Sequence, residues 1–449
     1  MNSTIVAPMT PSGVSAIAAI RVSGKAVRSI LSEALLNTDP KPRHAYYGDF
    51  RHLQTKKILD SLLYIFFEAK HSYTGEDVLE LYPHGNPLIV KGIIQSLTHL
   101  DSLRLANPGE FTQRAFLNGK LDLVQAESVA DVIHSNTLEA IHNAQRLLKG
   151  TLSSTIQELA ESIKNMSMRL ELDVDFVEEE VDPDPHSWKP TLLQIQRHLD
   201  RLIQEFQSAE STNRLPLVVV YGKPNAGKSS LINALIQEDR LLVSDRPGTT
   251  RDFVEVRLLL EGGEIRLIDT AGIATEVADD LDALSMQKSL EILKDADLKV
   301  CLIDGAKTQD ITDDIQAAKK EKAFPIVSKA DLLEKNNDSI LHSQSLSFVS
   351  TKQDTESYIH QLKSKWNKIL FPAKENQEDF WVTSERQKTS LIAAQKGIEK
   401  TLDLIETNPA VELLAFEMQL VRQELLAITG QISSEDILQS IFSRFCVGK

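Results

Sequence analysis

Cysteine is nearly missing from this 449-residue chain, which holds only Cys301 and Cys446. Two such residues are neither a disulfide framework nor a cysteine metal cluster. Long apolar runs are missing too: no stretch approaches the ~20 residues a membrane-spanning helix needs. No basic segment leads into an apolar one at the start of the chain, so no signal peptide is expected; the protein is read as cytoplasmic, with no membrane partner. Positive charge is in deficit, with 49 Lys+Arg against 64 Asp+Glu and a net charge of −15. That balance argues against non-specific nucleic-acid binding. The deficit is uneven: residues 1–120 hold 13 basic and 10 acidic side chains, leaving −18 for the rest. An RNA contact is therefore expected to be local and to favour the N-terminal third.

What is present is ordinary for a globular protein, with 42% hydrophobic and 25% charged residues. The length exceeds one core of usual size, so two or three domains are expected. Residues 1–120 mix β-rich runs (Ala16–Val22, Leu62–Phe67, Val78–Leu81) with helical stretches, punctuated by Pro and Gly. This predicts an α+β domain. From residue 121 to about 210, apolar residues such as Val129, Val132, Ile133, Ala140, Ile141, Ala144 and Leu148 recur at helical spacing. The acidic, Pro-containing stretch Asp173–Pro190 interrupts them and reads as a solvated loop. Strands and helices alternate over 215–371, which predicts a parallel sheet covered by helices. Residues 375–449 are helical again. The chain is thus predicted to be multidomain: an α/β domain inserted into a discontinuous α-helical domain whose two parts, 121–210 and 375–449, pack together. Cys301, in the apolar run Leu298–Ile303, is expected to be a buried strand residue.

The inserted block carries the chemistry. Gly222-Lys223-Pro224-Asn225-Ala226-Gly227-Lys228-Ser229 fits G-x-x-x-x-G-K-[ST], between the predicted strand Leu215–Tyr221 and a predicted helix beginning at Ser230. Backbone N–H groups and a helix N-terminus there make a nest for phosphate oxygens. Lys228 would neutralise the β- and γ-phosphates, and the Ser229 hydroxyl would bind Mg²⁺. Asp269-Thr270-Ala271-Gly272 follows the strand Ile265–Ile268, so Asp269 would reach the magnesium through water and Gly272 would approach the γ-phosphate. Between these motifs lies Gly248-Thr249-Thr250-Arg251-Asp252, a switch segment whose Thr250 can complete the magnesium shell. Ser328-Lys329-Ala330-Asp331 follows the strand Pro325–Val327. The Asp331 carboxylate can accept N1–H and N2–H₂ of guanine, a donor pair adenine lacks. Ser350-Thr351-Lys352 would close over the base. The ordered set points to GTP as the ligand and to a translation-factor-related GTPase class.

Two positions depart from the usual pattern. The base-reading motif is normally Asn-Lys-x-Asp, and Ser328 stands in the Asn position. One lost hydrogen bond predicts guanine affinity weaker by ~1 kcal/mol. The residue after Asp-Thr-Ala-Gly is Ile273 rather than a water-positioning glutamine. Asn225, together with the Gly-Thr-Thr-Arg-Asp switch, resembles GTPases in which a potassium ion replaces an arginine finger.

Further motifs extend the comparison along the chain: Ser72-Tyr73-Thr74-Gly75-Glu76-Asp77-Val78-Leu79-Glu80-Leu81, Pro108-Gly109-Glu110-Phe111, Arg114-Ala115-Phe116-Leu117-Asn118-Gly119-Lys120-Leu121-Asp122, and the terminal Cys446-Val447-Gly448-Lys449. On these residues the chain resembles the MnmE (TrmE) family of tRNA-modification GTPases, a potassium-activated, TrmE-Era-EngA-like class with an inserted Ras-like GTPase domain. The resemblance implies a homodimer that joins an FAD-dependent partner, MnmG, as a heterotetramer. The complex would modify C5 of the tRNA wobble uridine by carboxymethylaminomethyl or aminomethyl addition. It implies an N-terminal dimerisation domain of folate-binding type, holding 5-formyl- or 5,10-methylene-tetrahydrofolate through Arg21, Glu80, Lys120 and Lys449. It implies potassium held by Asn225, Ser244, Arg246 and Thr249, with Ala226, Gly227, Ser230, Ser244 and Thr249 also lining the GTP site, and Asp282 as the water-orienting acid. Cys446 is either a nucleophile whose pKa Lys449 lowers or a small residue packed near the folate pocket. The family's His-Gly-Gly reads His84-Gly85-Asn86 here. A GTP-dependent assembly switch of the ribosome-assembly type, and a GTPase that binds GTP but scarcely turns over, remain as alternatives.

Overall fold

A computed structural model of the protein describes residues 3–175, 185–212, 214–238, 255–269, 291–306, 311–332, 347–350, 352, 354–372, 382–407, 410–432, 435–443, 445 and 448. The chain forms two compact units, one of residues 1–134, 143–208 and 380–449, the other of residues 135–142 and 209–379.

The first unit begins with a six-stranded sheet. Its strands are β1 (Thr4–Pro8), β3 (Ile20–Ser23), β4 (Ala45–Arg51), β5 (Ile58–Phe67), β6 (Val78–Tyr82) and β8 (Leu103–Leu105), in the order β4-β5-β6-β3-β1-β8. A two-stranded ribbon joins β2 (Ser15–Ile17) to β7 (His84–Gly85). Alternation along β5 turns Leu62, Tyr64 and Phe66 inward, and they share a core with Ile30 and Leu31 of helix α1 (Val27–Ala34) and Ile93 and Leu97 of α2 (Pro87–Thr98). The expected α+β block is present: Leu62–Phe67 and Val78–Leu81 fall within β5 and β6, whereas the anticipated run Ala16–Val22 is split between β2 and β3, which belong to different sheets.

Helix α3 (Glu110–Leu117) leads into α4 (Leu123–His134), α5 (Leu138–Leu148), α6 (Thr151–Asp175) and α7 (Lys189–Thr212). Leu152, Ile156, Leu159 and Ile163 lie on one face of α6, the spacing an amphipathic helix requires. They share one core with Leu192, Ile195 and Leu199 of α7 and with residues from the C-terminal end of the chain. Continuous helical spacing across 129–148 hides a break. Thr137 Oγ1 caps the start of α5 by accepting from Ala140 N at 3.1 Å. Just before it, the Asn136 carbonyl accepts from Glu264 N at 2.7 Å, so residues 135–142 join the second unit.

That second unit is a mixed sheet with strands β9 (Leu217–Gly222), β10 (Glu255–Leu260), β11 (Gly263–Asp269), β12 (Leu298–Asp304), β13 (Phe324–Ser328) and β14 (Ser347–Val349). Its order is β10-β11-β9-β12-β13-β14; the edge strand β10 runs antiparallel and the others are parallel. Helices α8 (Lys228–Glu238), α9 (Ile311–Lys320) and α10 (Thr355–Leu370) accompany it. Val218, Val219 and Val220 are fully buried, as expected for a strand covered on both faces. The strand order reverses on either side of β9, and ligands of such sheets bind at the carboxyl ends of the strands beside that reversal.

The remaining helices, α11 (Glu385–Glu406), α12 (Val411–Thr429) and α13 (Glu435–Phe442), return to the first unit. Leu391 and Ile398 of α11 and Met418, Val421 and Leu425 of α12 complete the core begun by α6 and α7. Arg386 ties the two helical segments together, donating to Glu127 of α4 at 2.9 Å and to the Ala427 and Ile428 carbonyls at 2.8 and 2.9 Å.

Candidate functional site

The phosphate loop connects β9 to α8. At its start Gly222 passes so close to β12 that an added Cβ would lie 2.3 Å from the Leu302 carbonyl oxygen. Asn225 and Gly227 then adopt φ of +67° and +94°, turning successive backbone N–H groups inward before the helix begins at Lys228. Ala226 and Lys228 are buried while Ser229 and Ser230 are exposed on the first turn. The Lys228 ammonium is folded over the loop, donating to the Gly222 carbonyl at 2.9 Å and to the Lys223 carbonyl at 3.2 Å. Ser229 Oγ donates to Asp269 Oδ2 at 3.0 Å. Asp269 closes β11, paired in register with Val220 of β9, and is nearly buried. The sheet thus brings together two oxygen-bearing side chains 40 residues apart.

The base-side loops lie at the carboxyl ends of β13 and β14. Ser328 Oγ is within hydrogen-bonding distance of the Ala226 carbonyl, at 2.7 Å, and of the Ile303 carbonyl, at 3.1 Å. Lys329 takes a left-handed φ of +54°, and its ammonium pairs with Asp304 Oδ2 at 2.7 Å. Asp331 sits in a single 3₁₀ turn, Ala330–Leu332, where Ser350 Oγ donates to its Oδ1 at 2.9 Å. The same hydroxyl accepts from Lys352 N at 3.2 Å. Sequence reasoning missed Asp304; its signal was an acid at the carboxyl end of an apolar strand, as for Asp269. Cys301 is a strand residue as expected, yet half-buried rather than buried. Burial still pushes its thiol up, against the hydrogen bond with Tyr221.

A second constellation lies in the N-terminal sheet. Arg21 of β3 and Glu80 of β6 face each other in register, with Nη2 2.9 Å from Oε1. The guanidinium sits 5.1 Å from the centre of the Tyr73 ring and 5.7 Å from that of Phe111. Tyr82 donates to Glu80 Oε2 at 2.5 Å; burial and that carboxylate push its phenol up to about 12. Lys120 makes a different contact, donating to the Lys70 carbonyl at 2.7 Å. Asn86, the departure in His84-Gly85-Asn86, is the N-cap of α2: its Oδ1 accepts from Leu88 N at 2.9 Å, as glycine could not. Near the end of the chain, Gly448 has φ of +100°, and a Cβ there would lie 2.3 Å from the Pro8 carbonyl oxygen. Pro8 pairs with Ile20, the neighbour of Arg21, so the tail reaches the edge of this constellation.

Ser244, Arg246, Thr249, Thr250, Thr270, Ala271, Gly272, Asp282, Thr351, Cys446 and Lys449 lie outside the described residues.

A strand-loop-helix phosphate nest, a serine-aspartate pair beside it and a base loop on the next strands define a P-loop GTPase. The family model for the GTP-binding protein TrmE N-terminus matches residues 4–120, and that for the MnmE helical domain matches residues 123–446. The tRNA modification GTPase MnmE of Syntrophus aciditrophicus (strain SB) is 35% identical over 100% of both chains. Its counterpart in Opitutus terrae is 36% identical over 100% of this chain and 99% of its own, and that of Petrotoga mobilis 33% over 100% of both. The chain belongs to the MnmE family of tRNA modification GTPases. Among the described residues, no helix is long and apolar enough to cross a membrane.

Proposed function

We propose that this protein hydrolyses GTP to drive modification of the tRNA wobble uridine at C5, by carboxymethylaminomethyl or aminomethyl addition, together with the FAD-dependent partner MnmG. The observation that carries the magnesium–triphosphate reading is the Ser229–Asp269 contact, 3.0 Å long, at the mouth of the phosphate loop; the choice of guanine rests on Asp331. A hydroxyl hydrogen-bonded to a carboxylate there suits Mg²⁺, which keeps several waters and takes few direct protein ligands. Ser229 and Thr250 would hold the ion directly and Asp269 through water; the ion supplies charge neutralisation on the phosphates. Lys228 exchanges its carbonyl partners for the β- and γ-phosphate oxygens. Asn225, already in a left-handed turn, would hold K⁺ with Ser244, Arg246 and Thr249. Asp282 orients the attacking water. Asp331, held by Ser350, reads guanine, with Thr351 and Lys352 over the base.

The Arg21–Glu80 pair, flanked by the rings of Tyr73 and Phe111, suits a ligand that joins a flat heterocycle to a carboxylate-bearing tail. Arg21, Glu80, Lys120 and Lys449 would hold a tetrahydrofolate derivative there, and that group supplies the one-carbon unit. Cys446 is the chain's nucleophile in this reading. The homodimer is supported by an apolar cross-strand pair on the sheet face, Tyr47 opposite Leu63, which are 73% and 44% exposed.

Two experiments test this. Phosphate release from GTP should be faster in potassium than in sodium. Nucleosides from the tRNA of a deletion strain should lack the wobble modification. Unchanged tRNA in that strain would overturn the modification reading and leave an assembly switch.

A further inference from the structure

The N-terminal sheet carries one surface to which the proposed reaction gives no task. It is built from the turn between β4 and β5 and from helix α2. Leu53 N donates to Ser96 Oγ at 2.9 Å, which docks the turn on the helix, and the His52 and His99 rings stand 6.1 Å apart. Lys91, Gln95 and His99 recur at i, i+4 and i+8 and all are exposed, a stripe of ~12 Å at 1.5 Å per residue. Lys56 and Lys57 stand exposed on the adjoining turn. His52 Nδ1 accepts from the Gln54 and Thr55 backbone, at 3.2 and 3.3 Å, so the ring hydrogen sits on Nε2 as a donor.

Segments 50–59 and 86–100 hold Arg51, Lys56, Lys57 and Lys91 with no Asp or Glu, in a chain of net charge −15. The acids that flank the turn have partners: Asp49 accepts from Ser61 at 2.7 Å and lies 3.9 Å from Arg51, and Asp60 holds His84 at 2.9 Å. Asp101 marks the exposed margin of the helix.

We propose that this surface binds the sugar–phosphate backbone of the tRNA. The inference rests on the tRNA reading above and adds where the RNA is held. Lysines act as point charges toward phosphates, which position RNA without reading its bases. Lysine is also depleted in protein–protein interfaces, so the stripe favours RNA over a protein partner.

The test uses the full chain with Lys56→Glu, Lys57→Glu and Lys91→Glu combined, and tRNA binding measured over a series of salt concentrations. Binding should weaken by about tenfold or more, and the log–log salt slope should flatten by about 2, as expected for three lost phosphate contacts. Potassium-stimulated GTP hydrolysis and the thermal midpoint should not change, and the matching Lys→Arg triple should bind like the parent. Equal tRNA binding by the Glu triple would overturn the surface assignment while leaving the tRNA reading standing. A parent that binds no tRNA would overturn both. A Glu triple that keeps tRNA but loses the FAD-dependent partner would make the surface a protein-docking site and overturn the assignment.

Discussion

The hydroxyl of Ser328, at the end of β13, lies 2.7 Å from the main-chain carbonyl of Ala226 inside the phosphate loop. An asparagine amide could tie the loop and also contact the base, whereas a hydroxyl has one hydrogen. Ser328 is only 6% exposed and its one hydrogen goes to a main-chain carbonyl, that of Ala226 at 2.7 Å or Ile303 at 3.1 Å, so none is left for the base. Ser328→Asn should tighten GTP binding by about 1 kcal/mol, roughly fivefold, in a titration with a fluorescent GTP analogue. Unchanged affinity would show that the base takes no hydrogen bond from this position. Ser328→Ala should loosen the loop and weaken binding.

In the proposed reaction the water-orienting acid is Asp282, beyond the strand that ends at Asp269. Asp282→Asn should cut turnover sharply while GTP affinity stays near that of the parent, because a water-orienting group acts only in the transition state. Single-turnover hydrolysis in potassium measures the first and nucleotide titration the second. Full turnover in the variant would place the acid elsewhere.

Acid should loosen the N-terminal unit in a defined window. Burial raises the Glu110 carboxyl, but Arg104 at 2.7 Å, the Asn107 N–H at 3.0 Å and Arg114 at 2.8 Å outweigh it and bring it down to about 2. Because its pKa is lowered on folding, its stabilisation is complete above the ordinary value of about 4.3. It declines as pH falls below that value and is gone below about 2. Melting curves from pH 7 to 2 should show this loss. Glu110→Gln should flatten it and cost on the order of 2 kcal/mol at neutral pH, since it removes charge-assisted hydrogen bonds from Arg104 and Arg114 while Arg114 keeps Glu76.

The chain's last residues are expected to matter for modification and not for GTP. Gly448→Ala would drive a Cβ to within 2.3 Å of the Pro8 carbonyl oxygen and displace the tail. Cys446→Ser removes the thiol and leaves the backbone alone. Both should abolish wobble modification, measured by nucleoside analysis, with phosphate release unchanged. If Cys446→Ser retains modification while Gly448→Ala loses it, Cys446 is a packing residue.

The sequence by itself determined what short-range chemistry controls. Short apolar, β-rich runs marked several strands of each sheet, though not β1, β4, β8 or β10, helical spacing marked the two helical segments, and Gly, Lys and Ser at set intervals identified the phosphate loop between a strand and a helix. Only the tertiary structure decided relations that span long stretches of chain. The Arg21–Glu80 pair depends on the register of β3 against β6, Ser328 reaches Ala226 across 102 residues, and Gly448 meets Pro8 at the opposite end of the chain. It also broke the apparently continuous helix at Thr137 and sent residues 135–142 to the second unit. Periodicity records which face of an element is apolar; which partner covers that face is set by packing of the whole chain, and no local window contains it.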